Sequence, residues 1–179
     1  MIKIVGIIGI TCVGLLPFIY PAKSSTSNKD IVCLATNIYH EARGESTVGK
    51  IAVGLVVLNR VENRKWPDSI CEVVYEGPKR ESWETKQNLS LSDNDRIYYP
   101  VKNKCQFSWY CDGLSDDINY TTHEWAVSLQ VSEKLLSTDK FKGLLEGATH
   151  YHTINVSPTW RLKMTLITRI DNHLFYRQD

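Results

Sequence analysis

The chain has 179 residues, enough for one hydrophobic core and a short appendage but not for two independent domains. With 42% hydrophobic and 23% charged residues, its composition is that of a packed globule rather than a disordered chain. Twenty-one Lys and Arg against twenty Asp and Glu leave a net charge of +1, which excludes a protein held to nucleic acid by its overall field.

The charges are unevenly distributed. No acid precedes Asp30, Lys3 makes a positive start, and Ile4 to Tyr20 is an uncharged run followed by Lys23 and the polar Ser24–Asn28. This is the pattern of an export leader. Residues 1–24 are read as a signal peptide or a signal-anchor/release segment, 25–29 as a linker and 30–179 as the folded domain. At about 1.5 Å per residue, 4–20 sits at the lower limit of a bilayer span, so an uncleaved leader would tether the domain to a membrane. Losing the leader changes the charge from +1 to −1, because Lys3 and Lys23 go with it. The expected location is the periplasm or cell envelope, with inner-membrane tethering before release if the leader stays. Beyond the leader lie Cys33, Cys71, Cys105 and Cys111. An even number in an exported chain suggests two disulfides, with three connectivities open. Four buried free thiols are the alternative.

In chain order, Ser27-x-x-Asp30 can cap a helix whose face is Ile31, Leu34, Ala35, Ile38 and Ala42, with Gly44 as its stop. Val48, Ile51, Ala52, Leu55, Leu58 and Val61 make a second helix, apolar on most sides and therefore central to the core. Trp66-Pro67-Asp68 is a turn, and Ile70–Tyr75 is too short to classify. Residues 76–104, polar and without period, predict a surface excursion. Thr121-x-x-Glu124 reads as a capping box opening a helix through Trp125, Leu129 and Leu136. Residues 165–176, broken by Asp171-Asn172, predict a β-hairpin. The fold class is α+β, mainly helical, with a small β-hairpin region.

Three segments carry groups able to do chemistry. In Tyr39-His40-Glu41-Ala42-Arg43-Gly44-Glu45, Glu41 falls about 80° from the centre of the apolar stripe, at the border of core and solvent. Partial desolvation there raises a carboxyl pKa and keeps a proton available for general acid chemistry. Glu45 lies past the helix stop and is the weaker candidate; a solvated Glu–Arg helix end is the plainer alternative. Cys105-Gln106-Phe107-Ser108-Trp109-Tyr110-Cys111 would form an aromatic and amide wall suited to sugars, or merely a bridged turn. On a strand, His150 and His152 would share one face and could ligate zinc with help from His40, His123 or His173, although ordinary hydrogen-bonded histidines fit as well. No G-x-S-x-G elbow or P-loop occurs.

Taken in order, Ile38–Glu45, Val53–Val61, Trp66–Tyr75, Cys105–Trp109, Gly147–His152, Ser157-Pro158 and Asn172–Tyr176 resemble the SleB/CwlJ-type cell wall hydrolases, the family of spore cortex-lytic enzymes and related phage lysins. The resemblance runs over about residues 30–177 and implies a lysozyme-like catalytic domain of lytic transglycosylase type acting on peptidoglycan. It implies that Glu41 is the catalytic acid/base and that Gln106, Phe107, Ser108, Trp109, Tyr151 and His152 line the glycan groove. It also implies a Cys71–Cys105 bridge, which leaves Cys33 with Cys111. No cofactor or metal is expected for this reading, and a monomer is. The moderately hydrophobic leader is similar to the signal-arrest-release segments of some phage lysins.

The implied reaction cleaves between N-acetylmuramic acid and N-acetylglucosamine, giving 1,6-anhydromuramic ends, in an endolysin-like role. Two other readings stay open: a zinc-dependent N-acetylmuramoyl-L-alanine amidase and a non-catalytic peptidoglycan-binding module. Residues 76–104 have little of the family's character.

Overall fold

The computed structural model describes residues 27–179; the leader and Cys12 lie outside them. Three helices form the frame. The first, α1 (Asn28–Ala42), starts two residues inside the stretch read as linker, with Ser27 Oγ accepting from Asp30 N–H at 3.1 Å. The second, α2 (Thr47–Glu62), is capped by Ser46. Its burial from Gly49 to Val57 confirms the central position expected from its nearly unbroken apolar surface. The short α3 (Ile70–Val74), unclassifiable by period, is a helix capped by Ser69 and packed on α1 and α2.

The excursion after it is a folded lobe. A hairpin of β1 (Lys79–Glu81) and β2 (Tyr98–Pro100) encloses the one-turn α4 (Trp83–Lys86). The last long helix, α5 (His123–Ser137), is capped by Thr122 and not by Thr121, because Thr121 turns its hydroxyl to Asn119 while Thr122 Oγ1 accepts from Trp125 N–H at 3.3 Å. That choice sets Trp125 against Tyr39 of α1. Among the described residues no helix is long and apolar enough to cross a membrane.

The predicted hairpin is present as β4 (Thr165–Ile170) and β5 (His173–Arg177), and β3 (His150–Thr153) joins it, giving an antiparallel sheet of order β3-β5-β4. Its β4–β5 turn is docked on the α1–α2 loop. Asp171, at a φ of 48°, accepts from Ser46 N–H and Oγ–H at 3.0 and 2.6 Å. Glu45 accepts from Asn172 Nδ2 at 3.1 Å. From the other side Asn59 Nδ2 donates to Ala148 O, and Arg60 Nε donates to Thr149 O at 2.8 Å. These bonds hold β3 beside the end of α1.

All four cysteines among the described residues are bridged, but the implied partners are not the observed ones. Cys33 bonds Cys71 and Cys105 bonds Cys111. Packing of α3 on α1 brings the first pair of Cα atoms to 5.3 Å, and the tight turn through Ser108–Cys111 brings the second to 6.1 Å. The expectations of Cys71–Cys105 and Cys33–Cys111 are thereby corrected.

Helices α2 and α5 approach closely at Gly54, where a Cβ would stand 2.5 Å from Leu135 Cδ1 and 3.1 Å from Ile38 Cδ1. Gly54→Ala should therefore destabilise the fold by about 1–3 kcal/mol through overpacking, despite alanine's better helix propensity. Denaturant titration measures this; a gain in stability would contradict the close approach.

Candidate active site

Two cavities meet at the C-terminal end of α1. One, of about 240 Å³, is lined by Glu41, Arg60, Gln106, Phe107, Ser108, Tyr151 and His152 among others. The other, of about 350 Å³, is lined by His40, Arg43, Trp109 and the acidic loop Asp112–Asp117. Glu41, Ser108, Thr153 and His173 line both. The groove is thus continuous across Glu41, with room on either side of its carboxyl.

The position of Glu41 follows from its helix phase. Ile38 and Ala42 enter the core while the residue between the apolar stripe and solvent reaches the groove. Tyr151 Oη–H donates to Glu41 Oε2 at 2.8 Å. Burial pushes the Glu41 carboxyl above its usual range; the Tyr151 bond and the charge of Arg60 pull the other way and are the lesser effects. Burial, with Glu41 beside it, keeps the Tyr151 phenol protonated and hence a donor. Tyr151 lies opposite Phe175 on β5, and its ring packs edge-on against His173.

Arg60 is the site's buried cation, only 4% exposed. Its guanidinium lies 4.1 Å from the centre of the Trp66 ring and 4.8 Å from that of Phe107. Burial pulls its pKa down to about 10, which leaves it charged at neutral pH. Its position beneath the acid limits how far Glu41 rises.

The wall opposite β3 is the bridged loop 105–111. Trp109 Nε1–H donates to Asn37 Oδ1 at 3.1 Å, tying this loop to α1, and the indole stacks on His40 at 4.4 Å. Of the residues singled out in the sequence, Gln106, Phe107, Ser108, Tyr151 and His152 share a cavity with Glu41, and Trp109 lines the adjoining one. Glu45 lines neither; its carboxylate is taken up by Asn172 in the turn that docks the sheet.

His150 and His152 are both spoken for. His152 Nε2 meets Tyr176 Oη at 3.0 Å, while His150 Nδ1 meets Thr149 Oγ1 at 2.9 Å and its ring packs against Trp66 and Trp160. Among the described residues no three His, Cys, Asp or Glu side chains come together as a metal-holding group.

Arg60, His40 and His173 were not weighed as groove residues from sequence. His40 Nε2 and His173 Nδ1 are buried at the groove without a hydrogen-bond partner among the described residues, and burial lowers both pKa values, which favours the neutral imidazoles. For His173 a signal existed: on a strand it shares the inward face with fully buried Phe175.

Comparison with known proteins agrees with this frame. Residues 44–176 match the cell wall hydrolase family, a span that begins just after Glu41. Spore cortex-lytic enzymes of Halalkalibacterium halodurans and Bacillus subtilis are each 44% identical over 50 residues, 28% of this chain and 15% and 16% of theirs. That of Oceanobacillus iheyensis is 36% identical over 70 residues, 39% of this chain and 25% of its own. The alignments thus span a quarter or less of the length of these relatives. The catalytic domain of the Bacillus cereus SleB protein superposes with a TM-score of 0.52 at 20% identity, covering 87% of this chain and 94% of that one. The catalytic domain of the germination-specific lytic transglycosylase SleB from Bacillus anthracis gives the same score and identity over 99% of its chain. The shared fold is the lysozyme-like α+β one, and the chain belongs to the cell wall hydrolase family.

Proposed function

We propose that the protein cleaves the glycan strand of peptidoglycan between N-acetylmuramic acid and N-acetylglucosamine, as a lytic transglycosylase acting outside the cytoplasm in cell wall lysis. The observation that carries this reading is the Glu41 carboxyl, partly withdrawn from water at the middle of a two-sided groove and held by one phenol.

With Tyr151 on Oε2, Oε1 is free to carry the proton. Glu41 gives it to the glycosidic oxygen as the bond to C1 of the muramic residue breaks and positive charge develops on the sugar ring. The muramic 6-hydroxyl then bonds to C1 and surrenders its proton to the Glu41 carboxylate. The 1,6-anhydro ring closes, N-acetylglucosamine leaves with a free hydroxyl, and Glu41 ends protonated. No water is consumed and no second carboxylate is required. Gln106, Phe107, Ser108, Trp109, Tyr151 and His152 would hold the sugars, and the neutral His40 and His173 would offer ring nitrogens to them.

Hydrolysis by inversion is the competing outcome. It needs a second carboxylate roughly 6.5–9.5 Å away to activate water, and Asp112, Asp116 and Asp117 on the His40 side are the acids available to it.

The working form is protonated Glu41, so lysis of purified sacculi should hold at low pH and fall as pH rises through the elevated Glu41 pKa. Tyr151→Phe removes a bond that favours the carboxylate. Glu41 then rises further, and the alkaline limb should move to higher pH while the maximal rate drops. A limb that moved to lower pH, or no alkaline limb at all in the parent protein, would contradict the assignment.

A further inference from the structure

The lobe formed by residues 79–100 presents its own binding surface. Trp83, Tyr98 and Tyr99 are 75%, 50% and 60% exposed, an unusual concentration of bare aromatic rings. Trp83 and Tyr99 line a cavity of about 350 Å³ together with Arg80 and Lys86. Arg80 and Tyr99 are direct cross-strand partners, so their side chains stand on one face of the hairpin.

The lobe is built to keep this face in place. Arg96 Nη1 donates to Glu81 Oε1 at 2.6 Å, Ser82 N–H donates to Ile97 O at 2.7 Å, and Ser82 Oγ caps α4 at Glu84 N–H. The Arg96 contact neutralises the one acid lining the cavity, so the charges of Arg80 and Lys86 set its sign.

The lobe also springs from the rim of the catalytic groove. Its two roots are joined where Gln106 N–H donates to Glu76 O at 3.0 Å, and Gln106 lines the cavity with Glu41.

We propose that this face is a second saccharide subsite, in which Trp83 and Tyr99 stack on sugar rings of the peptidoglycan strand and Arg80 and Lys86 take the carboxylates of its stem peptides. Apolar sugar faces alternating with sparse anions match two bare rings set beside two cations. A polyanion is the poorer fit, because a net charge of +1 gives the chain no field to gather one. The subsite rests on the peptidoglycan reading above and sits on the lobe rooted beside Gln106.

The test is co-sedimentation of the full chain with insoluble sacculi, made in a Glu41→Gln background so that the wall persists. Trp83→Ala with Tyr99→Ala should weaken sacculus binding about tenfold. Arg80→Ala with Lys86→Ala should weaken it and flatten its salt dependence. Both ring side chains are exposed, so the thermal melt should not move, and Trp83→Phe should restore most of the binding. Unchanged sacculus binding in the ring variant overturns the subsite alone. Failure of the Glu41→Gln parent to sediment with sacculi at all overturns the peptidoglycan reading, and the subsite with it. If the ring variant lost binding to anionic lipid vesicles while holding sacculi normally, the face would be a membrane contact and the proposal would be wrong.

Discussion

Glu41→Gln should lower the rate of wall lysis by about 10²–10⁴-fold, the usual contribution of a positioned general acid. The amide keeps the shape of the side chain, and its oxygen still accepts from Tyr151, so neither the groove nor the fold loses a partner. It also cannot ionise in a place where burial penalises a charge, so the melting temperature should hold or rise. Rate and stability therefore separate, which is the signature of a group that does chemistry. Glu45→Gln makes the contrast. Its carboxylate accepts from Asn172 in the turn that docks the sheet, so its loss should act through the placement of β3, with a far smaller effect on rate. Equal losses at the two positions would contradict this separation of chemistry from docking.

Removing the Cys33–Cys71 bridge should have the largest effect on stability. It spans 38 residues and fastens α1 to α3, and loop-closure entropy assigns such a link about 4 kcal/mol. For a domain of this size that corresponds to a fall in Tm of roughly 8–16 °C. Cys105–Cys111 closes only a short turn, and the same argument gives it about 2 kcal/mol. That turn carries Gln106, Phe107, Ser108 and Trp109, however, so its loss should cost more activity than stability. Melts and lytic assays of the two double-alanine variants test the ordering. Reversed roles would mean that α3 is held without its bridge and the groove wall is not.

The two pairings also show where reading from sequence stopped. The start of α1 was legible because Ser27-x-x-Asp30 announces it chemically, whereas that of α5 fell one residue from the Thr121 box. The central placement of α2 followed from its lack of a polar side. The β4–β5 hairpin was legible from Asp171-Asn172 between two apolar runs. Cysteine partners were not, because they depend on which faces of α1 and α3 meet, a tertiary fact without local signature. The same holds for Arg60. In sequence it stands where an apolar helix turns polar, and only the folded chain sets it between Trp66 and Phe107 beneath the acid. The lobe at 79–100 was missed as structure because three-residue strands are too short to display a period. Helix phase put Glu41 at the border of core and solvent, since Ile38 and Ala42 fix the core side of α1, while its choice over a solvated helix end rested on the family resemblance. Its partner Tyr151 comes from 110 residues away and could not be placed by phase.

Length and charge acquire a sharper meaning in this light. A near-neutral domain has no general attraction for an anionic wall, so recognition falls to the shape of the groove and to local pairs such as Arg80 and Lys86.

The most direct test of the reaction is mass spectrometry of the glycan fragments released from purified sacculi by the wild-type protein. A one-carboxyl mechanism through the muramic 6-hydroxyl predicts fragments ending in 1,6-anhydromuramic acid, 18 Da lighter than their hydrolysed counterparts, in water as in any buffer. Fragments with reducing muramic ends, or intact strands with liberated stem peptides, would contradict it.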